Sequence, residues 1–145
     1  MQHGLALSKE EDPERPLSEK GKAETRKVAA FLGSKGIKVS RLWHSKKLRA
    51  VQTARIIAGA VKCEDVTERE DLSPNDPVEK FGQEIIVAGS DVMIVGHLPF
   101  LQKLASLLLT GSSDKEVVSF RFSGVVCLEY EQIWKLAWFV LPDLC

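Results

Sequence analysis

Apolar residues recur along this chain in two patterns, short continuous runs and stripes with helical spacing. Residues 92–95 are all apolar, which is typical of a strand with both faces covered, and residues 98–109 after them predict a helix. An earlier unit has the same form. Residues 39–44 mix β-branched and aromatic side chains, and residues 50–61 carry apolar side chains at the spacing of one helix face. The pattern therefore predicts two strand–helix units.

The first part of the chain predicts a strand stub, a loop and a helix. Residues 1–3 form the stub, and residues 4–17 are polar with two prolines, which indicates a loop. Ser18 is a candidate N-cap for a helix that runs to about Lys35 with apolar side chains on one face.

The remaining segments complete an α/β pattern. Val66 marks a short strand, the turn cluster at residues 73–77 leads into a weaker helix over residues 78–86, and residues 125–130 and 133–141 predict an antiparallel hairpin. Strands that alternate with helices favour a mostly parallel sheet with helices on both faces. We expect a three-layer α/β/α sandwich that ends in this hairpin.

Charge and cysteine content exclude several classes of protein. The chain has 20 basic and 20 acidic residues, so no overall field would draw it to nucleic acid or to an anionic membrane. Three distant cysteines without a Cys-x-x-Cys pair favour a reduced, cytoplasmic protein over a disulfide scaffold or a zinc site. No secretory leader or membrane-spanning run is recognisable. We expect a soluble monomer with a single domain over residues 1–145.

Candidate chemistry follows three of the predicted strands. His3 and Gly4 come after the first, residues 45–49 after the second, and residues 96–97 after the apolar run. In open α/β sheets, ligands bind beyond the carboxyl ends of the strands, and helix N-termini at that edge attract anions. The three segments therefore predict one anion-binding edge that contains His3, Arg49 and His97.

Each of these residues has an ordinary structural interpretation when it is taken alone. A lone histidine is usually a surface or hydrogen-bonded residue, and a lone arginine is usually solvated or paired. His44 ends a strand between Trp43 and Ser45, which favours a structural or peripheral role. The sequence lacks a P-loop, a Gly-x-Gly-x-x-Gly turn, a Gly-x-Ser-x-Gly elbow and zinc-ligand spacing.

Four segments together resemble the histidine phosphatase superfamily, and in particular its SixA-like phosphohistidine phosphatases. They are Gln2-His3-Gly4, Arg15-Pro16-Leu17-Ser18-Glu19-Lys20-Gly21, the ten residues from Ser45 to Ala54, and Gly96-His97-Leu98-Pro99. They correspond to the superfamily's Arg-His-Gly, Arg-Pro-Leu-(Thr/Ser)-x-x-Gly, Ser-x-x-x-Arg-Ala-x-Gln-Thr-Ala and Gly-His-x-Pro patterns. The resemblance covers nearly the whole chain, and the segment around Arg49 is its most specific part.

The resemblance implies a phosphatase that forms a covalent phosphohistidine at His3 and needs no metal or other cofactor. Arg49, His97, Gln2 and Gly4 would hold the phosphate, and the substrate would be phosphohistidine in a protein. The physical chemistry of these groups fits, because a neutral imidazole can attack phosphorus while Arg49 and a protonated His97 stabilise the phosphate oxygens. Gln2 stands where the superfamily generally has arginine, so we expect activity about tenfold lower.

The group that protonates the leaving group is the least defined. Glu70, Asp71 and Asp76 are the available carboxylates, in the polar turn before the third helix, where carboxylates usually cap turns. A phosphohistidine substrate has a labile P–N bond and depends less on such an acid, so a missing acid favours that substrate. Two alternatives stay open: a phosphomonoesterase for a small metabolite, and a catalytically weakened phosphate-binding module.

Overall fold

Helices and strands alternate along the chain in the computed structural model, which describes residues 1–145. The elements are α1 Glu19–Ser34, β1 Arg41–Ser45, α2 Leu48–Ala60, β2 Asp65–Arg69, α3 Glu79–Ala88, β3 Val92–Val95, α4 Phe100–Thr110, β4 Val125–Glu131, β5 Ile133–Val140 and a final 3₁₀ turn at Pro142–Leu144. No helix is both long enough and apolar enough to cross a membrane.

The strands form a parallel sheet and an antiparallel hairpin. The parallel sheet has the order β2-β1-β3, in which Arg41 pairs with Asp65 on one side and with Val92 on the other. β4 and β5 pair in antiparallel register with an irregularity between Cys127 and Leu128. The predicted α/β fold with a C-terminal hairpin is confirmed.

Two hydrophobic clusters cover opposite faces of the parallel sheet. Leu42 packs in a cluster with α1 and α2, whereas its neighbour Trp43 packs with Phe81 of α3 and Phe100 of α4. Successive strand residues point to opposite faces of a sheet, so these contacts place one helix pair on each face. The result is the three-layer arrangement that the sequence predicts.

The segment at residues 1–3 joins the two sheets. Gly96 N–H donates to Met1 O and His3 N–H donates to Gly96 O, both at 3.1 Å. On the opposite side Gln2 N–H donates to Gly124 O at 3.1 Å. The predicted strand stub is thus reduced to one parallel bridge between Gln2 and Gly96, and this bridge sets His3 at the carboxyl ends of β1 and β3.

The first helix begins where its N-cap residue predicts, whereas strand β1 begins later than predicted. The Ser18 side chain accepts a hydrogen bond from Gly21 N–H, so the predicted N-cap of α1 is confirmed. β1 begins at Arg41 instead of residue 39, because Arg41 is the first residue that meets partners on both sides. α4 begins at Phe100, three residues after His97.

Candidate active site

His3 is held in one tautomer by its two hydrogen-bond partners. Its Nδ1 lies 2.7 Å from Gly4 O, which can only accept, so Nδ1 carries the proton. Its Nε2 lies 3.2 Å from Arg49 Nε, which can only donate, so Nε2 keeps a lone pair. His3 as a whole is 7% exposed. The geometry therefore presents one buried, nucleophilic nitrogen.

The electrostatic surroundings keep this ring neutral. The pKa of His3 is lowered to about 4, mainly by burial and also by the positive charges of Arg49 and Arg15, against the opposing effect of the bond to Gly4 O. A histidine with this pKa is almost entirely unprotonated near neutral pH. This agrees with the sequence-based argument for a neutral nucleophile.

Thr53 connects the His3 loop to α2 and so positions Arg49. Its Oγ1 accepts from Gly4 N–H at 3.0 Å and donates to Arg49 O at 2.7 Å. The neighbouring Gln52 accepts from Leu17 N–H at 2.6 Å through its side-chain oxygen. The Gln-Thr pair of the segment around Arg49 thus ties two loops to one helix, a role that the sequence analysis left unassigned.

His97 lies beside His3 at the end of β3. The two ring centroids are 4.9 Å apart, and His97 Nε2 lies 2.8 Å from Ser45 Oγ at the end of β1. The other ring nitrogen, Nδ1, is buried and has no partner. His97 is therefore fixed on one side and free to bond a ligand on the other.

His97 is not protonated in the free site, and the expectation of a protonated His97 concerns the phosphate-bound state, for which it stays a prediction. Burial lowers the pKa of His97 to about 3, and the charges of His3, Arg49 and Lys47 act in the same direction. Without a bound anion, a proton on this ring would be buried among positive groups. His97 is neutral in the free protein for that reason.

Gln2 and Gly4 differ in how well they fit the predicted phosphate-binding role. Gln2 is 7% exposed, and its side-chain Oε1 is buried without a partner. Gly4 already uses its N–H on Thr53 and its carbonyl on His3, so it has no donor left for phosphate. The phosphate-binding role predicted for Gly4 is therefore corrected to a positioning role for His3.

Positive residues surround an open cavity of about 390 Å³ that reaches Arg49. Its lining includes Lys9, Arg15, Lys46 and Lys47, against a single acid, Glu14. Arg15 adopts a left-handed backbone with φ of 50° and donates from Nε to Leu7 O at 3.2 Å. The Arg-Pro-Leu-Ser segment was the available sequence signal for Arg15, but no site role was predicted for this residue.

Two residues from the loop before β4 also reach the site, and no sequence signal identified them. The Phe122 ring centroid lies 5.5 Å from that of His3, and Phe122 is 41% exposed. Ser123 N–H donates to His3 O at 3.2 Å, and the Ser123 hydroxyl lies 2.9 Å from Thr25 Oγ1. This loop supports the nucleophile from the side of the hairpin.

Two of the three candidate acids, Asp71 and Asp76, are engaged in hydrogen bonds to neighbouring groups. Asp71 accepts two hydrogen bonds from Arg69, which lowers the pKa of this carboxyl, and Arg69 is also paired with Glu84. The prediction of Asp71 as an acid is therefore wrong, because an acid needs a raised pKa. Asp76 accepts from Ser73 N–H as a turn cap. Glu70 is exposed and stays a prediction.

The third histidine and potential metal ligands lie outside this constellation. His44 Nδ1 lies 3.1 Å from Ser45 O, a contact to the main chain that fits the structural role expected for it. No group of three or more His, Cys, Asp or Glu side chains is placed to hold a metal ion.

The site geometry can be compared with known proteins. Residues 3–76 match the family model of the histidine phosphatase superfamily (branch 1). The chain belongs to this superfamily. An uncharacterized protein of Picosynechococcus sp. (strain ATCC 27264 / PCC 7002 / PR-6) is 30% identical over 135 residues, which cover 88% of this chain and 81% of that protein.

Solved structures share the fold of this histidine phosphatase superfamily member. The protein histidine phosphatase SixA complexed with tungstate has a TM-score of 0.86 and 24% identity, with 99% of this chain and 95% of that chain covered. Phosphoserine phosphatase from Entamoeba histolytica in complex with 3-phosphoglyceric acid has a TM-score of 0.68 and 17% identity, with 95% and 93% covered. At these identities the likeness concerns the fold.

Proposed function

We propose that this protein is a phosphatase that removes phosphate from phosphohistidine in another protein and carries it transiently on its own His3. The observation that carries the proposal is the fixed tautomer of His3. Its Nδ1–H is held by Gly4 O, while its Nε2 keeps a lone pair beside Arg49. A buried, neutral and oriented imidazole is the group that covalent phosphoryl transfer requires.

In the first step His3 Nε2 attacks phosphorus in line with the leaving group. The P–N bond to the substrate imidazole breaks, the new P–Nε2 bond forms, and the leaving imidazole nitrogen takes a proton from solvent. Arg49 Nε must turn from Nε2 to a phosphate oxygen, since the lone pair it contacts in the free site is the one that attacks. Its charge then stabilises the transferring group.

In the second step a water oxygen attacks the phosphorus on His3, the P–Nε2 bond breaks, and inorganic phosphate leaves. His97 is the neighbouring group that can donate to a phosphate oxygen through its unpartnered Nδ1. A phosphate dianion beside it raises the pKa of His97, since an opposite charge favours the protonated ring. The protonated His97 of the sequence analysis thus belongs to the liganded state.

Two observations favour phosphohistidine in a protein over a small phosphomonoester. Asp71, one of the predicted acids, is engaged by Arg69, which lowers its pKa and makes it a poor proton donor for a monoester leaving group. The cavity next to Arg49 is open and basic, which suits a phosphorylated segment on a protein surface. The similar fold of the protein histidine phosphatase SixA supports the same substrate class. For the present protein, a cytoplasmic location and a monomeric state stay predictions.

The decisive experiment is to trap the phosphoenzyme. The protein is mixed with a protein that carries radiolabelled phosphohistidine and is quenched in alkali after milliseconds to seconds. We expect label that is stable in alkali, labile in acid, and located on His3. Comparing phosphohistidine with phosphoserine and an aryl phosphate ranks the substrate classes.

Histidine variants provide matched controls for the trapping experiment. His3→Ala should abolish both the label and the turnover, whereas His44→Gln should keep the label, because the hydrogen bond of the His44 ring goes to the main chain at Ser45 O. Circular dichroism confirms that both variants fold. Equal phosphate release by the wild type and His3→Ala would refute the proposal, and stronger turnover of a small monoester would replace its substrate class.

A further inference from the structure

The open cavity that reaches Arg49 has room for more than one anionic group. Its volume of about 390 Å³ lies within the range of sites that bind ligands of many atoms, about 300–1,000 Å³. A single phosphate group fills only part of such a space. The lining residues come from two segments, residues 9–15 of the loop before α1 and residues 46–49 between β1 and the first turn of α2. We call this space the basic cavity.

The basic cavity carries an excess of positive charge that the protein itself does not neutralise. Five of its lining residues are basic, and Glu14 is the one acid among them. The ion pairs of the protein all involve other residues. Lys9 and Lys46 stand on opposite segments of the lining, and both are exposed. Because the whole chain has equal numbers of basic and acidic residues, this excess is local and favours an anionic ligand at this place.

Two further acids of the loop before α1 are engaged within the loop. The Glu11 carboxylate accepts from Ser8 N–H at 2.9 Å, and the Asp12 carboxylate accepts from Glu14 N–H at 2.9 Å. Main-chain hydrogen bonds from Asp12 N–H to Ser8 O and from Arg15 N–H to Asp12 O hold the same turns. These two carboxylates therefore bond the main chain of their own loop, and the lysines of the basic cavity are left for another partner.

The positive charge of the basic cavity extends to the reacting groups. In addition to burial, the charge of Arg15 lowers the pKa of both His3 and Arg49, and the charge of Lys47 lowers the pKa of His97. Such effects require that the charges lie close together, so the cavity and the nucleophile share one positive field. A partner whose phosphate lies at Arg49 therefore has its neighbouring side chains next to the basic cavity.

We propose that the basic cavity binds acidic side chains of the partner protein next to its phosphohistidine, so that Lys9 and Lys46 select partners by charge. This inference rests on the proposed removal of phosphate from phosphohistidine in a protein. Arg49 then binds the phosphate, and the lysines bind the flanking carboxylates. Exposed ion pairs contribute little one by one and are screened by salt, so the selection depends on several pairs acting together and weakens as salt is added.

The test compares peptides that differ only in charge. The acidic probe is acetyl-Asp-Glu-Asp-phosphohistidine-Ala-Glu-Asp-amide, and the neutral probe has Asn and Gln in place of Asp and Glu. A third, basic probe has Lys at the same positions. For the whole protein at low salt we expect kcat/KM to be about tenfold higher for the acidic than for the neutral probe, mainly through KM. This ratio should approach one in about 0.5 M salt.

Charge reversal at one lysine tests the cavity directly. Lys46→Glu should lower the ratio of kcat/KM values to about twofold or less, and Lys9→Glu/Lys46→Glu should prefer the basic probe. The matched control is Lys62→Glu, the same change about 20 Å away beyond the other end of α2, which should keep the tenfold ratio. A general loss of activity cancels in the ratio, because both probes are measured on the same variant.

A binding measurement separates this proposal from the proposed reaction. The acidic peptide with unphosphorylated histidine is titrated to millimolar concentration into nitrogen-15-labelled protein. We expect the amide resonances of Lys9 and Lys46 to shift, that of Lys62 to stay in place, and the neutral peptide to cause no shift. If these shifts occur but no phosphohistidine probe is turned over, the proposed function is wrong and the role of the cavity stands.

Two results would overturn the role of the basic cavity while leaving the phosphatase in place. One is equal kcat/KM for the acidic and neutral probes on the wild type at low salt, without shifts at Lys9 and Lys46. The other is a preference for the acidic probe that is as strong in Lys46→Glu as in Lys62→Glu, which would place the selecting charges elsewhere.

Discussion

Ser45 Oγ and His97 Nε2 lie 2.8 Å apart at the carboxyl ends of two paired parallel strands. A hydroxyl can donate to a neutral imidazole and accept from a protonated one by turning about its C–O bond. Ser45 can therefore keep the His97 ring in place next to His3 while the charge of the ring changes. In this arrangement Nε2 of His97 stays bonded to Ser45, and Nδ1 is left for the ligand.

Replacing Ser45 should impair the reaction more than the fold. Ser45→Ala removes the hydrogen bond to His97 Nε2 and a longer one from Lys47 N–H, so we expect kcat/KM to fall about tenfold and the free energy of unfolding to fall by about 1 kcal/mol. The matched control is Ser106→Ala, another buried serine, whose hydroxyl donates to Ser112 O at a distance from the site. Rapid-quench measurement of phosphoenzyme formation should separate the two variants. Equal losses in both would show that Ser45 has only a structural role.

Thr53 should prove necessary for holding the nucleophile loop. Thr53→Val keeps the shape of the side chain and leaves the buried Gly4 N–H without its acceptor, which costs about 1–3 kcal/mol. Thr53→Ser retains the hydroxyl and should restore most of the stability and activity. Urea unfolding and steady-state kinetics measure both effects. A serine variant as impaired as the valine variant would contradict the role of this hydrogen bond.

Gly4 lies where no larger residue fits. A Cβ at Gly4 would lie 2.6 Å from Thr25 Oγ1, so Gly4→Ala should destabilise the protein by about 1–3 kcal/mol and displace His3. Gly59 in α2 has nothing within 4 Å of such an atom, and Gly59→Ala should stabilise the protein by about 0.5–1 kcal/mol. Thermal melting compares the two variants. Opposite signs are expected, and a stabilising Gly4→Ala would contradict the packing described here.

Gln2→Arg should strengthen phosphate binding and lower the stability of the ligand-free protein. A charged donor at this position adds a charge-assisted hydrogen bond, so we expect kcat/KM to rise about tenfold. Without ligand, the added charge would be buried, since Gln2 is 7% exposed, and the melting temperature should fall. Saturating phosphate should restore it more in the variant than in the wild type. A variant without higher turnover would show that Gln2 lies outside the reach of the phosphate.

Stability should fall as the pH is lowered from neutral. His3 and His97 have pKa values of about 4 and about 3 in the folded protein, against 6.5 for an ordinary histidine. Between these values the unfolded chain binds protons that the folded chain does not, so stability is fully present above about pH 6.5 and is lost below it. Urea titrations at each pH measure the slope.

The double variant His3→Gln/His97→Gln serves as the control for this pH dependence. It removes both imidazoles, so its stability should change less between about pH 6.5 and 4. In the wild type, kcat/KM should stay level down to about pH 5 and fall as His3 gains a proton near pH 4. A fall near pH 6.5 instead would show that the ring is solvated.

The sequence was sufficient to predict the parts of the site that depend on strand ends. His3, Arg49 and His97 follow separate strands, and parallel strands bring their carboxyl ends to one edge of a sheet. Phe122 and Ser123 were not predictable, because their loop returns to His3 only through the hairpin pairing. The pairing of Asp71 was not predictable, because Arg69, which donates two hydrogen bonds to it, is also held by Glu84 once α3 has docked.

The neutral state of His97 in the free protein was not predictable for a related reason. Sequence spacing predicts that positive groups gather, but the cost of gathering them depends on burial, which appears only in the folded protein. Gly4 likewise occurs in a signature that suggests an anion site, yet local bonding uses both of its main-chain groups. Composition and spacing thus identify which residues meet, and packing decides their charge and their free donors.

The contact between Arg49 and the His3 lone pair means that the nucleophilic nitrogen is covered in the free protein. Electrophiles that react with exposed imidazoles meet a guanidinium in front of the reactive nitrogen, and only an anion that draws this group aside uncovers it. The reactivity of His3 Nε2 therefore depends on the charge of the ligand that approaches it. A protein that encounters many reactive small molecules can in this way keep its nucleophile for phosphorylated ligands.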